Sequence, residues 1–188
     1  TMLGTSRKAA EHVKRLIARF GAEKMLSSIE ELMRRSEQVM RERIRACPDG
    51  VYYAEGYIES NGNDHAPIVA RLKLTIDGDR MIADFTGTAP QAKGPINHCG
   101  DYVGGNFLKK WLAPILRNLA DTPERMAELD VNEGIVPLIE MRFPEKGTLL
   151  TPIYPAPTNA RTFVILRLLG VLAGVVAKAV EGRMPADQ

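Results

Sequence analysis

The sequence has few of the residues that build disulfide frameworks or metal sites. Its 188 residues contain two cysteines, Cys47 and Cys99, and three histidines, His12, His65 and His98. Two cysteines are too few to stabilise a chain of this size through disulfides, so we expect a reducing, cytoplasmic compartment. No two of the histidines stand at a metal-ligand spacing, and we expect no metal site within this segment.

The sequence also lacks a large excess of either sign of charge, because it has 25 Lys and Arg residues and 23 Asp and Glu residues. A formal charge of +2 provides no general attraction for phosphate backbones, so nucleic acid is not an expected partner. The excess of arginine and lysine in residues 1–46 falls mostly outside the apolar stripes of that region. This pattern is typical of a solvated helix surface, and a docking surface for an acidic partner is the alternative.

No apolar run reaches the roughly 20 residues of a bilayer span. The longest, residues 163–177, contains Arg167 and Gly170 and predicts a buried helix. The first residues lack the charged and apolar regions of a secretory signal. We therefore expect no membrane partner and no export.

A phosphate-binding loop of the Walker type is missing as well. Residues 100–105 contain three glycines, but neither the Lys-Ser/Thr ending nor the spacing of a dinucleotide fingerprint. ATP binding by this chain is therefore not expected.

What is present predicts an α+β fold. Apolar residues at helical spacing predict two successive helices in residues 1–46, the first capped by Ser6 and ended by Gly21. After a turn at residues 47–50, strands are predicted at 51–59, 68–76 and 80–86. Asp77 and Gly78 supply the φ > 0 positions that the hairpin between the last two requires.

The second half of the chain is predicted to mix helices and strands. We expect a helix over residues 101–119, kinked or divided by Pro114, a short helical turn from Asp121, and a strand over 135–143. The inward face of the long helix is predicted to carry Phe107, Leu108, Trp111, Leu112, Ile115 and Leu116. Closely spaced prolines predict an extended run over 151–159, with Thr158 or Asn159 capping the last helix.

The densest polar chemistry lies at the hairpin end and in the Gly/Pro-rich loop of residues 87–105. Its candidate substrate or partner-channel residues are Asp84, Thr86, Gln91, Asn97 and His98. Asp84 is expected either to cap loop amides or to orient a substrate. His98 is also a weak metal candidate with Cys99 and Asp101, although adjacent residues of an extended segment point to opposite sides. Cys99 is expected to be a buried thiol.

Two further candidates precede the last helix. Asn159 and Arg161, with the unpaired amides of its first turn, favour an anion or carboxylate site, and an ordinary capped helix is the alternative.

Three motifs carry a resemblance to a known family. Residues 84–97 read DFTGTAPQAKGPIN and closely resemble the D-F-[ST]-G-[ST]-x-P-Q-x-x-G-P-[IL]-N signature of the hydantoinase B/5-oxoprolinase family. Residues 132–140 and 144–152 resemble that family's N-x-G…P-[IL]-x-[VI] and P-x-G-[ST]-L-[LV]-x-P elements, in the same order. The resemblance covers nearly the whole chain.

The resemblance implies a B-type subunit of an ATP-dependent enzyme that hydrolyses cyclic amides of the hydantoin, 5-oxoproline or lactam type. It also implies a hydantoinase A-type partner that binds ATP, and thus a hetero-oligomer. The family includes subunits of acetone and acetophenone carboxylases, so ketone carboxylation is an alternative. A docking domain without catalytic groups is another, favoured by the basic helices and the apolar residues 166–176.

The resemblance also implies that residues 1–188 are an internal segment, since family members are several times longer. The family's H-G-G-T-H-x-x-D-like motif, which would supply ligands for a divalent metal, is absent here. The isolated segment is therefore expected to be inactive. We divide it into a helical part (1–46), a hairpin with the Gly/Pro loop (47–99) and a mixed α/β part (100–188).

Overall fold

Two helices open the chain, as the apolar spacing predicts. The computed structural model describes residues 2–63 and 65–180. Helix α1 runs over Met2–Phe20 and α2 over Ala22–Arg45. Gly21, with a φ of 83°, separates them, which confirms the predicted end of the first helix.

The predicted N-cap of α1 is wrong. Ser6 lies inside the helix, and its hydroxyl donates to the carbonyl oxygen of Met2 at 3.1 Å. A serine in a helix interior uses this bond to the preceding turn instead of capping free amides.

The two helices differ in burial. No residue of α1 is buried, whereas α2 buries Met40 and Ile44 in the core. The apolar stripe of α1 is therefore exposed, while the carboxyl-terminal half of α2 is anchored by hydrophobic packing.

A four-stranded sheet follows, in the order β1-β2-β3-β4. Its strands are β1 (Gly50–Ile58), β2 (Ile68–Asp77), β3 (Arg80–Asp84) and β4 (Ile139–Arg142). The first three pair antiparallel, and β4 pairs parallel with β3. The predicted hairpin is confirmed, with Asp77 opposite Arg80. The predicted positive φ at Asp77 is wrong, because only Gly78 of the pair has one, at 58°.

Strand β4 begins later than predicted. Residues Glu133–Leu138 form a 3₁₀ helix instead, and the Asn132 side chain accepts from the Gly134 amide at 2.9 Å at its start. Pro137 lies in this segment and cannot donate to a sheet ladder. The strand therefore starts only at Ile139.

The predicted helix over 101–119 is two elements. A 3₁₀ segment covers Tyr102–Gly105, and α3 covers Asn106–Arg117. Positive φ values at residues 103–105 interrupt the α-helical path. Pro114 lies within α3 without dividing it.

The inward face of α3 is narrower than predicted. Leu108, Leu112 and Leu116 are buried, but Phe107 is 47% exposed, which corrects its assignment to the core. The short helix α4 (Pro123–Ala127) follows, with the Thr122 hydroxyl accepting from the Arg125 amide.

Helix α5 (Thr162–Ala179) packs across β1 and β2. A Cβ at Gly56 of β1 would lie 2.6 Å from Arg167 Cδ and 2.7 Å from Val171 Cγ2, so glycine permits this close approach. The helix buries Val164, Leu168 and five residues between Val171 and Ala179. Phe163 and Leu166 remain exposed.

Neither Thr158 nor Asn159 caps α5, contrary to the prediction. The N-cap is Arg161, without a side-chain cap, and the Arg161 amide donates to the Thr158 carbonyl oxygen at 3.1 Å. A turn therefore precedes the helix. The prediction of one extended run over residues 151–159 is also wrong, because the Ala156 amide donates to the Ile153 carbonyl oxygen at 3.0 Å and forms a turn within it. By length and composition α5 is the one helix of the described residues that could cross a membrane, a test that a buried core helix also passes.

Candidate functional site

Asn97 is the internal anchor of the Gly/Pro-rich loop. It is 0% exposed, and its Oδ1 accepts from the Ala92 amide at 2.8 Å. Its Nδ2 donates to the carbonyl oxygens of Ala92 (2.9 Å), Gly94 (3.2 Å) and Pro157 (3.0 Å). One side chain thus closes the loop and ties it to the run that leads into α5.

Gln91 makes a second tie between these segments. Its side-chain Oε1 accepts from the backbone amide of Ile153 at 2.8 Å, and the backbone amide of Gln91 donates to the Gly147 carbonyl oxygen at 2.8 Å. The side-chain amide groups of Asn97 and Gln91 therefore both hydrogen-bond to backbone groups.

Asp84 and Thr86 lie together at the end of β3. Asp84 Oδ1 accepts from the Thr86 amide at 2.9 Å, and Oδ2 lies 3.2 Å from Lys73 Nζ. Partial burial acts to raise the pKa of Asp84, but hydrogen bonds from Thr86 and the Lys73 ammonium hold that pKa below its usual value. Asp84 is therefore a carboxylate at neutral pH that caps the start of the loop.

These two residues line a cavity of about 690 Å³, which we call the sheet cavity. Its other charged residues are Glu55, Arg71, Lys73 and Lys178. Opposite charges face each other within it, since Arg71 Nε lies 3.4 Å from Glu55 Oε2. The charges that line the sheet cavity thus partly neutralise one another in ion pairs.

His98 and Arg161 line a different cavity of about 430 Å³, which we call the helix-entry cavity. Residues from five segments of the chain surround it: His98, Cys99, Gly100, Tyr102, Phe107, Thr158, Arg161 and Ile165. Asn159 is exposed and does not line it. Four of the seven candidates therefore line one of two cavities, and two hydrogen-bond to the backbone within the fold. The seventh, Asn159, lies on the surface.

His98 is 8% exposed, and within the described residues neither ring nitrogen has a hydrogen-bond partner. Its ring meets Phe107 edge-on, with 6.2 Å between centroids. Burial and the nearby Arg161 guanidinium lower the pKa of His98, and Asp101 opposes them only in part. The imidazole is therefore neutral at pH 7.

This lowered pKa makes stability depend on pH. In the unfolded chain the histidine has its ordinary pKa of about 6.5, so on acidification the unfolded state binds the proton first and the folded state loses stability below about pH 6.5. We expect His98→Phe to lose less stability than the wild type between about pH 7 and 5. Urea unfolding across this range measures the difference, and parallel profiles would contradict the expectation.

Cys99 is exposed, which corrects the prediction of a buried thiol, whereas Cys47 is buried. Although His98 is buried and Cys99 is exposed, both residues line the helix-entry cavity. Among residues 2–63 and 65–180, no three His, Cys, Asp or Glu side chains are grouped to hold a metal ion. These residues therefore do not fit a divalent metal by themselves.

An apolar groove of about 1140 Å³ lies between α3 and α5 and is lined in part by Trp111, Ile115, Phe163 and Leu166. None of the seven candidates lines it.

Thr158 and Phe107 are wall residues of the helix-entry cavity that sequence reasoning misses. The sequence pattern indicates Thr158 only as a cap and Phe107 only as a core residue. The sequence does place Thr158 three residues before Arg161, a spacing at which a turn brings two residues close to each other.

Comparisons with known proteins agree with the resemblance of the three motifs. The family model described as Hydantoinase B/oxoprolinase matches residues 1–188. The B subunit of a putative D-/L-hydantoinase from Pseudomonas sp. strain NS671 is 34% identical over 164 residues, covering 85% of this chain and 27% of that protein. The acetophenone carboxylase delta subunit of Aromatoleum aromaticum is 23% identical, covering 93% of this chain and 24% of that protein.

The crystal structure of the ATP-dependent caprolactamase from Pseudomonas jessenii has the same fold. It aligns with a TM-score of 0.77 at 22% identity, over 96% of this chain and 30% of that chain. The predicted α+β fold class is thereby confirmed. The chain spans less than a third of the length of each of these proteins.

Proposed function

This chain belongs to the hydantoinase B/oxoprolinase family, and we propose that it is part of the B-type subunit of an ATP-dependent enzyme that hydrolyses cyclic amides. The substrate class is that of hydantoins, 5-oxoproline or lactams. The observation that carries the proposal is the 34% identity to the B subunit of a putative hydantoinase over 85% of this chain. The caprolactamase with the same fold is also ATP-dependent.

We propose that ATP is bound by a hydantoinase A-type partner, because this sequence has no phosphate-binding loop. The enzyme would then be a cytoplasmic hetero-oligomer. A divalent metal, if the enzyme uses one, would be held by residues outside this segment, since the donors described here are not grouped. Residues 1–188 would be an internal segment, divided at 46/47 and 99/100 and inactive when isolated.

Within this segment we propose two kinds of role for the candidate residues. His98 and Arg161 face a cavity, and Asp84 and Thr86 face another, so these four are the candidates for contact with a substrate or with the partner channel. Asn97 and Gln91 are positioning residues, because their side chains hydrogen-bond to the backbone of the Gly/Pro-rich loop and of the segment before α5.

The test is turnover by the full-length protein purified with its A-type partner. We expect ATP hydrolysis that depends on a cyclic amide, with a ring-opened product that has gained water. Phosphate release and mass spectrometry of the product measure both. No turnover across hydantoins, 5-oxoproline and lactams would contradict the proposal.

Ketone carboxylation is the second candidate function, favoured by the similarity to the delta subunit of an acetophenone carboxylase. The same assay distinguishes it, because ATP hydrolysis would then require a ketone and bicarbonate and the product would carry a new carboxyl group.

A non-catalytic docking domain is the third candidate. It is favoured by the exposed stripe of α1, whose apolar side chains Val13, Leu16, Ile17 and Phe20 are 40–47% exposed. Crosslinks from α1 to a partner protein, together with unchanged turnover after substitution of Arg161 and Asp84, would favour this function.

A further inference from the structure

Helix α1 has an apolar stripe that no part of residues 2–63 and 65–180 buries. Its side chains recur at helical spacing and are 40–47% exposed: Val13, Leu16, Ile17 and Phe20. We call these four residues the α1 stripe. A row of apolar side chains that a domain leaves uncovered is typical of an interaction surface.

Helix α1 also carries an uncompensated positive charge. It has one acidic residue, Glu11, and five cations: Arg7, Lys8, Lys14, Arg15 and Arg19. None of the five forms an ion pair within the described part of the chain. In α2, by contrast, Arg41 Nη2 lies 2.6 Å from Glu37 Oε1. The charge of α1 is therefore left for a group outside the described residues to neutralise.

The cations of α1 border its stripe on both sides. At about 3.6 residues per turn, Arg7 and Lys14 fall on one border of the stripe. Lys8 and Arg19 fall on the other, and Arg19 Cζ lies 4.8 Å from the centroid of the Phe20 ring. A surface that fits this face therefore has an apolar centre and carboxylates along its rims.

We propose that α1 is the helix through which this chain docks to the partner subunit of the hetero-oligomer. The partner receives it in a groove that is apolar along the floor and acidic along the rims. This inference rests on the proposed function, because it needs a partner subunit, and it adds which surface of this chain that subunit binds.

An anionic bilayer and a second copy of this chain match the surface less well. Exposed apolar side chains continue in α2 at Leu26, Ile29 and Leu32, and residues 22–35 there contain three carboxylates and three cations. Carboxylates are repelled by anionic lipid, whereas a folded partner offers charges of both signs. A second copy docked α1 to α1 would bring two helices with the same excess of positive charge together.

The first test reverses the border charges and measures assembly of the full-length protein with its A-type subunit by sedimentation velocity. We expect Lys14→Glu/Arg19→Glu to weaken the complex about tenfold, because each reversal replaces an attraction with a repulsion. Added salt should weaken the wild-type complex more than the variant complex. Arg80→Glu/Lys93→Glu is the matched control, since it makes the same charge change at exposed cations outside α1 and should leave the affinity unchanged.

The second test asks whether the α1 stripe is covered by a partner or by the same polypeptide. Leu16→Gln should weaken the complex about tenfold, through the loss of apolar burial at the interface. It should leave the thermal unfolding of the full-length protein without its partner unchanged, because no residue of α1 is buried. A loss of stability in the unpartnered protein would overturn the proposal, since another segment of the same chain would then cover the stripe.

Carbodiimide crosslinking tests the chemistry of the occupant, because it joins a lysine amine to a carboxylate in contact with it. We expect amide links from Lys8 or Lys14 to Asp or Glu of the A-type subunit, located by peptide mass spectrometry. Links only to carboxylates of the same polypeptide or, in mixtures of labelled and unlabelled protein, of a second copy would overturn the proposal. Cosedimentation of the assembled protein with phosphatidylserine vesicles that Lys14→Glu/Arg19→Glu abolishes would also overturn it, in favour of a membrane surface.

The failure of this proposal and that of the proposed function are distinguishable. A complex that assembles through α1 but opens no cyclic amide would contradict the proposed function alone. An active complex whose affinity is unchanged by Lys14→Glu/Arg19→Glu would contradict the docking role of α1 alone.

Discussion

Replacing Asn97 with alanine is expected to destabilise the fold by about 3 kcal/mol or more, because each buried group left without its partner costs about 1–3 kcal/mol. The side chain serves four backbone groups, namely the amide of Ala92 and the carbonyl oxygens of Ala92, Gly94 and Pro157. It is 0% exposed, so water cannot replace those bonds without rearrangement of the loop. Urea unfolding monitored by circular dichroism measures the change.

Asn97→Asp and Asn159→Ala sharpen this test. Aspartate keeps the acceptor for the Ala92 amide but has no donor for the three carbonyl oxygens and brings a buried charge among them, so it should be at least as harmful as alanine. Asn159 is exposed, and its replacement should change stability by less than about 0.5 kcal/mol. A fully stable Asn97→Ala that had lost turnover would instead make Asn97 a ligand-contacting residue.

The second large effect is expected at Gly134, where the 3₁₀ helix before β4 meets the backbone of α2. A Cβ at this position would lie 2.0 Å from the carbonyl oxygen of Met33 and 2.7 Å from its carbonyl carbon. Neither atom can move without shifting helix α2, so Gly134→Ala should cost about 3 kcal/mol through overpacking. Thermal and urea unfolding both report this loss.

Gly174→Ala is the matched control for Gly134→Ala. Gly174 is in the interior of α5, and apart from the backbone of that helix no atom of residues 2–63 and 65–180 lies within 4 Å of a Cβ placed there. Alanine should therefore stabilise this helix by about 0.5–1 kcal/mol, through its higher helix propensity. Similar effects of the two substitutions would refute the steric contact between Gly134 and α2.

The parts of the fold that local patterns specify could be predicted from the sequence. The alternation in β2 and the Asp77-Gly78 pair predict both strands of the hairpin, because these signals depend on residues that are close in the sequence. The start of β4 could not be predicted in this way. Its strand character depends on parallel pairing with β3, a partner distant in the sequence, and the apolar residues before Ile139 are buried by α2 and α3 instead.

The same limit applies to the candidate site. The sequence indicates polar residues between Asp84 and His98, but it does not indicate that Asn97 points into the loop while His98 lines a cavity. That difference arises from contacts with the turn before α5, which is 60 residues away from Asn97 at Pro157. The position of Arg161 near a helix start makes it a candidate, and only the fold brings it to the same cavity as His98.

The parallel pairing of β3 with β4 has a consequence for biosynthesis. When the ribosome has completed the hairpin, the outer edge of β3 has no partner, and it stays unpaired until Ile139–Arg142 has emerged. An unpaired strand edge is a template for pairing with other chains. Nascent chains that stop before β4 should therefore be the species most prone to aggregate and the ones that most need a chaperone.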